Sequence, residues 1–168
     1  TAPAGKQPSF LAAALKDPLS GNLDRIQIVK GWLDASGAVQ EKIYDVAFAG
    51  NRKPDPKTGK LPPIGSTVNL ADATYTNSIG APLLATLWID PEFDPAVPAF
   101  YYVRALEIPT PRWTLYDAVR FKVKPPKEDA TPSLGGDGDD RPMTDAREAK
   151  SRAMAKGPIL LFVGPPGV

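Results

Sequence analysis

The sequence predicts a mainly β fold: an antiparallel, sandwich-like or partly open sheet with long proline-rich loops, followed by a short C-terminal helix–strand appendage. Three observations point there. Twenty prolines and 14 glycines in 168 residues leave little room for long helices. Hydrophobic residues make up 42% of the chain, enough for a packed core. The apolar runs are short, and turn residues separate them.

Thr1–Pro8 reads as a loose arm, and Ser9 as a cap for a short helix running through Lys16 and stopped before Pro18. Phe10–Leu15 then forms a buried turn of that helix. After a turn at Leu19–Asn22, Asp24–Asp34 is a strand with Ile26, Ile28 and Trp32 on one parity. Lys30 breaks that parity and suggests an edge or a bulge. Ala35-Ser36-Gly37 turns the chain, and Val39–Phe48 returns with Tyr44, Val46 and Phe48 on one face, completing a hairpin. Asn51–Ser66, with four prolines, two glycines and four basic residues, is a long surface loop. Thr67–Leu70 is a short strand candidate. Leu83–Ile89 is almost wholly apolar and suits a strand buried on both faces. Asp90–Pro98 is a proline-punctuated turn, and Phe100–Ile108 a second apolar strand. Ala118–Lys124 alternates Val119, Phe121 and Val123 with Arg120, Lys122 and Lys124, which predicts a last strand with one wet face.

At Pro125 the composition changes. The stretch to Pro142 carries four prolines, three glycines and five acidic residues, with almost no apolar side chain, and reads as a flexible linker. Thr144–Ala155 then predicts a weakly amphipathic helix, with Glu148 and Arg152 as a supporting pair, and Ile159–Val163 a strand. The predicted organisation is therefore a β-rich region over 1–124, a linker over 125–142 and a helix–strand piece over 143–168.

Several function classes are excluded. A net charge of +1 gives no field for nucleic acid or anionic lipid. The chain has no histidine and no cysteine, so it holds no histidine-based triad, zinc site, iron–sulfur cluster or disulfide. No apolar run approaches the ~20 residues that span a bilayer as a helix. The lack of cysteine fits both cytoplasm and periplasm, so the compartment stays open. No Gly-x-Ser-x-Gly elbow or Ser-x-x-Lys motif supports covalent catalysis.

Three stretches of the β region are distinctive: Asp24-Arg25-Ile26-Gln27-Ile28-Val29-Lys30-Gly31-Trp32, Lys42-Ile43-Tyr44-Asp45-Val46-Ala47, and Phe100–Trp113, which ends Glu107-Ile108-Pro109-Thr110-Pro111-Arg112-Trp113. Together they resemble the C-terminal region of a bacterial family known as a domain of unknown function, over about Ser9 to Lys124. Full-length members of that family resemble PHP-type metal-dependent phosphoesterases. The resemblance implies a divalent metal in a longer parent protein, held by histidines and carboxylates elsewhere. It carries no metal ligand over to this chain. The partner it implies is the missing N-terminal catalytic region of the parent chain.

The tail resembles something different. Lys156–Val168 is similar to the strand and loop that open the ATPase module of Lon-type proteases. Gly164 stands where a phosphate-binding loop has its first glycine, and Gly167 follows in the same turn. The second glycine of the pattern, its lysine and its hydroxyl residue would fall beyond Val168. An incomplete loop binds no nucleotide. A truncation, or a junction between unrelated segments, is the expectation for this tail.

No catalytic residue is assigned. Arg104, Arg112 and Trp113 are the substrate-binding candidates, since guanidinium groups beside an indole grip a phosphate or sulfate while the ring packs the rest. The alternative is a core tryptophan with arginines satisfying carbonyls. Asp90, Glu92 and Asp94 offer oxygen ligands for Ca²⁺ or Mg²⁺, or else form a solvated turn. Arg52, Lys53, Lys57 and Lys60 form an anion-facing rim or a solvated loop. Gly135–Asp140 matches one copy of a calcium-binding nonapeptide, and one copy cannot stack into a roll. The expected function is the non-catalytic C-terminal part of a PHP-like hydrolase of phosphate or sulfate esters, inactive alone. The alternatives are a β-sandwich binding or packing module, and the truncated start of a Lon-like ATPase.

Overall fold

The structure, a computed structural model, describes residues 7–124 and the backbone of residues 159–163. Two three-stranded antiparallel sheets stack face to face. One is built from β1 (Ser9–Leu15), β4 (Leu83–Ile89) and β6 (Ile159–Val163), in the order β4-β1-β6. The other comprises β2 (Leu23–Leu33), β3 (Val39–Phe48) and β5 (Ala99–Glu107), in the order β3-β2-β5. Helix α1 (Trp113–Phe121) follows. The sandwich-like β architecture expected from the sequence is the one observed.

The core lies between the sheets. Ala12 and Ala14 of β1 pack on Leu23 and Ile26 of β2, with Val46, Ala47, Leu84, Val103 and Ala105 around them. β2 is the central strand of its sheet and is buried along most of its length.

Several expectations change. Ser9–Leu15 is a strand, not a capped helix. Its three successive alanines favour a helix locally, but alternate burial of Phe10, Ala12 and Ala14 and full pairing with β4 prevail. Small side chains let this sheet approach the wide β2 surface. Ala118–Lys124 is not a strand either: residues 113–121 are helical, with Leu115 and Ala118 buried one turn apart. The alternation of Val119, Phe121 and Val123 was coincidental, for all three are exposed. Lys122 ends the helix in the left-handed region, and the Val123 N–H closes the turn on the Ala118 carbonyl at 3.0 Å. Thr67–Leu70 contributes only an isolated bridge between Asn69 and Thr74.

The hairpin is present, with Asp34 bonding across the Ala35-Ser36-Gly37 turn. Its faces differ from expectation. A bulge between Ile26 and Gln27 shifts the register, so Val46 and Ala47 both reach the core while Phe48 pairs with Arg25 on the far side. Lys30 marks neither an edge nor that bulge. β4 keeps the expected bounds but is not buried on both faces, because nothing described here covers its outer side. The linker over 125–142, the helix over Thr144–Ala155 and the glycines Gly164 and Gly167 lie outside the described residues.

The loop before β4 is locked to β2. Asn22 donates across to this loop: its backbone N–H to Asn77 Oδ1 at 2.7 Å, and its side-chain amide to the carbonyls of Asn77 and Ile79. Gly80 makes this approach feasible. Its φ is +79°, and a Cβ there would stand 2.6 Å from Asn22 Cβ and 2.9 Å from the Leu23 carbonyl.

Candidate functional site

Two polar clusters grow from opposite faces of β2. On the inward face, the backbone register puts Lys30 beside Tyr101 of β5 and Lys42 of β3. Asp90, the first residue after β4, reaches in from the other sheet. Lys30 Nζ donates to Asp90 Oδ2 at 2.6 Å and to the Glu92 carbonyl at 2.7 Å. Tyr101 Oη donates to the same Asp90 oxygen at 2.7 Å, and the Glu92 N–H donates to Oδ1 at 2.8 Å. Toward solvent, the Glu92 carboxylate accepts from Lys42 and, at 3.1 Å, from Tyr44. The rings of Phe10, Trp88, Tyr101 and Tyr44 roof the cluster, with Phe10 and Tyr101 4.8 Å apart and Tyr44 and Trp88 4.9 Å apart.

The protonation states are fixed by these contacts. Burial would raise the Asp90 carboxyl, but hydrogen bonds from Lys30, Tyr101 and the Glu92 N–H outweigh it and hold it below the usual carboxylate range. Burial, then the hydrogen bond to Asp90, pushes the Tyr101 phenol well above its ordinary value. Burial and Glu92 do the same to Tyr44. The Lys42 hydrogen bond leads in lowering Glu92. Near neutrality neither phenol can act as a base and Asp90 cannot act as an acid. The cluster pins the two sheets together by a dry ion pair.

The second cluster runs along the outward face. Asp24 is fully buried and holds Arg25 Nε at 2.9 Å on one carboxylate oxygen and Arg52 at 2.5 Å on the other. Arg25 continues to Asp45 at 3.3 Å, Asp45 accepts from the Gln27 amide at 2.7 Å, and Gln27 Oε1 accepts from Arg104 Nε at 2.6 Å. No buried side-chain nitrogen or oxygen among the described residues lacks a hydrogen-bond partner. Such a chain of satisfied hydrogen bonds rigidifies a sheet.

The sequence candidates separate accordingly. Arg104 sits on β5 as the last member of the outward chain, with its side chain part-buried. Arg112 is the N-cap residue of α1, and its side chain makes no capping hydrogen bond. Trp113 opens the helix 74% exposed, so it is no core anchor. Arg52 leaves the expected basic rim, since it binds Asp24 and the carbonyls of Ala49 and Pro62. Asp90 is not in a solvated turn, whereas Asp94 is, accepting from the Ala96 N–H. Among the described residues no group of three or more carboxylate, histidine or cysteine side chains is arranged to hold a metal. The sequence missed Lys30–Asp90 because its partners are 60 residues apart; the signal was a lysine breaking the parity of Ile26, Ile28 and Trp32.

A family profile described as "Protein of unknown function (DUF3604)" matches residues 1–134. The chain belongs to the DUF3604 family. The three distinctive stretches that suggested an unknown-function family all lie inside the matched residues. The DUF3604 region holds both polar clusters, both three-stranded sheets except β6, and α1. Neither a curated protein nor a solved structure matches the chain.

Proposed function

We propose that this DUF3604 region is a non-catalytic β-sandwich module that packs against the catalytic part of a PHP-like, metal-dependent hydrolase of phosphate or sulfate esters. One observation carries the packing role. The outer face of β1 and β4 presents Leu11, Leu15, Leu83, Leu87 and Ile89, each between 46% and 68% exposed, in directly paired or neighbouring positions. A contiguous apolar sheet face of this kind marks an interaction surface. The ester-hydrolase part of the reading rests on the family resemblance of the three stretches above. The described residues do not fit a metal site, so the ligands of such an ion would be supplied elsewhere in a longer chain. Arg112 and Trp113, exposed together at the head of α1, are the groups proposed to face the substrate.

A longer DUF3604 protein containing this region should release nitrophenol from an aryl phosphate or aryl sulfate, stop with EDTA and recover with Mn²⁺ or Mg²⁺. Arg112→Ala should lower kcat/KM about tenfold, the loss of one charge-assisted contact. The 168-residue chain should be inactive. Metal-independent turnover, or hydrolysis by the 168-residue chain itself, would sink the proposal.

The start of a Lon-like ATPase is the weaker reading. Ile159–Val163 is indeed a strand, but it lies antiparallel to β1. Phosphate-binding loops follow strands of parallel sheets.

A further inference from the structure

The matched DUF3604 residues end at 134, yet β1 is paired on both of its edges. Within the matched part β1 pairs only with β4. Its second edge is taken by Ile159–Val163, which runs antiparallel with Phe10 opposite Val163 and Ala14 opposite Ile159. So the acceptor edge lies inside the matched residues and the strand that fills it lies beyond them. The acceptor is built without protection. Ser9–Leu15 contains no charge, no proline and no bulge against β4. Natural edges that must stay unpaired carry such devices. The outer strands of the other sheet do: β3 bears Glu41, Lys42 and Asp45, and β5 bears Arg104 and Glu107. An edge of seven uncharged residues, with its inner side chains already packed on β2, is organised to take one more strand.

We propose that the β1 edge of the DUF3604 sandwich is a strand-acceptor site. Its occupant is a short, uncharged, proline-free apolar segment, added antiparallel to Phe10–Ala14 and recognised mainly through its backbone. In this chain Ile159–Val163 fills the site. The proposal rests on the packing-module reading and names how that packing is made. Backbone recognition explains why a segment outside the matched residues can seat there: strand addition needs an extended, apolar chain and no particular side chain.

Hydrogen exchange on the full 168-residue chain tests this. Leu161→Pro removes a backbone donor at the centre of β6, opposite Ala12. Amides of residues 10–14 that do not bond β4 should then exchange at least tenfold faster, while Ile26 and Ile28 stay protected. Adding an Ile-Leu-Leu-Phe-Val peptide with lysine tails should restore protection at residues 10–14. The same residues in scrambled order should also restore it, and a version with a central proline should not. Unchanged exchange at residues 10–14 in the variant, no recovery with the peptide, or equal recovery with the proline peptide would each overturn the proposal. If Leu161→Pro unfolds the sandwich, seen as rapid exchange at Ile26 and Ile28, Leu161→Asp carries the same comparison. These readouts are independent of ester hydrolysis, so strand acceptance and hydrolase parentage can fail separately.

Discussion

The two sheets handle burial in opposite ways. The β3-β2-β5 sheet puts charged side chains on both of its faces and pairs its buried ones: Lys30 with Asp90 from the other sheet on the inside, and Arg25 with Asp24 and Asp45 on the outside. The β4-β1 pair has almost no polar group to satisfy and leaves a face of leucine and isoleucine in water. A sheet whose buried charges are all paired is held rigid by those pairs. A sheet that exposes leucines at paired positions offers an apolar surface on which the proposed packing would occur. The contrast ties rigidity to β2 and its neighbours, and the proposed attachment to β1 and β4.

The largest test of the contrast is Asp90→Ala. It leaves the Lys30 ammonium buried without its carboxylate and Tyr101 without its acceptor. Breaking a buried pair in this way costs about 3–5 kcal/mol, read as a shift in the urea midpoint. The double variant Lys30→Met/Asp90→Leu should recover most of that loss, because an apolar pair of similar volume has no charge to compensate. If Asp90→Ala costs under about 1 kcal/mol, the pair behaves as a surface contact and the sheet is not held as described.

Next is Gly31→Ala on the outward face. The Phe100 ring lies across Gly31 so closely that a new Cβ would stand 2.3 Å from its Cζ. Overpacking should cost about 1–3 kcal/mol. Phe100→Ala in the same chain should remove most of that penalty, since the three nearest atoms all belong to this ring; a double-mutant cycle measures the coupling.

How far the sequence reveals this contrast depends on the range of the forces involved. Strands β2, β3, β4 and β5 were legible because their apolar runs and turns are local signals. β1 was not, because Ser9–Leu15 is locally helical and becomes a strand only through pairing with residues 83–89. α1 was missed because Leu115 and Ala118, its buried pair, are overshadowed by a chance alternation after Ala118. The Lys30–Asp90 pin was invisible for the same reason as β1: each half looks like a flaw until the other half arrives. Of the site candidates, Arg104 and Arg52 turned out to be members of a side-chain network, which no single position could disclose.

A smaller effect sharpens the attachment half of the contrast. Leu87→Lys changes a side chain that is 68% exposed on the outer face. Stability of the isolated chain should move by no more than about 0.5 kcal/mol, as for exposed positions generally. If the exposed leucine face drives the isolated chain to associate, sedimentation velocity at rising concentration should show less association in the variant than in the parent. A loss of several kcal/mol, as for burial of an unpaired charge, would mean that the face is already covered in the chain as it stands.

The smallest effect concerns the hairpin that frames the β3-β2-β5 sheet. Asp34 is exposed, yet its carboxyl is lowered to about 2, first by the Ser36 hydroxyl, then by the Ala38 N–H and the Gln40 amide. A carboxyl whose folded pKa is depressed stabilises the fold above its unfolded pKa and loses that contribution as pH falls through the folded value. The window here runs from the ordinary value of 3.8 down to about 2. Asp34→Asn should therefore flatten the acid side of a plot of Tm against pH between those two values while leaving the neutral region almost unchanged apart from the weaker turn. An NMR titration of the Asp34 carboxyl carbon should find its midpoint well below the ordinary value of 3.8. A midpoint near 3.8 would show that the turn does not bind the carboxylate, and the hairpin would then owe its register to strand pairing alone.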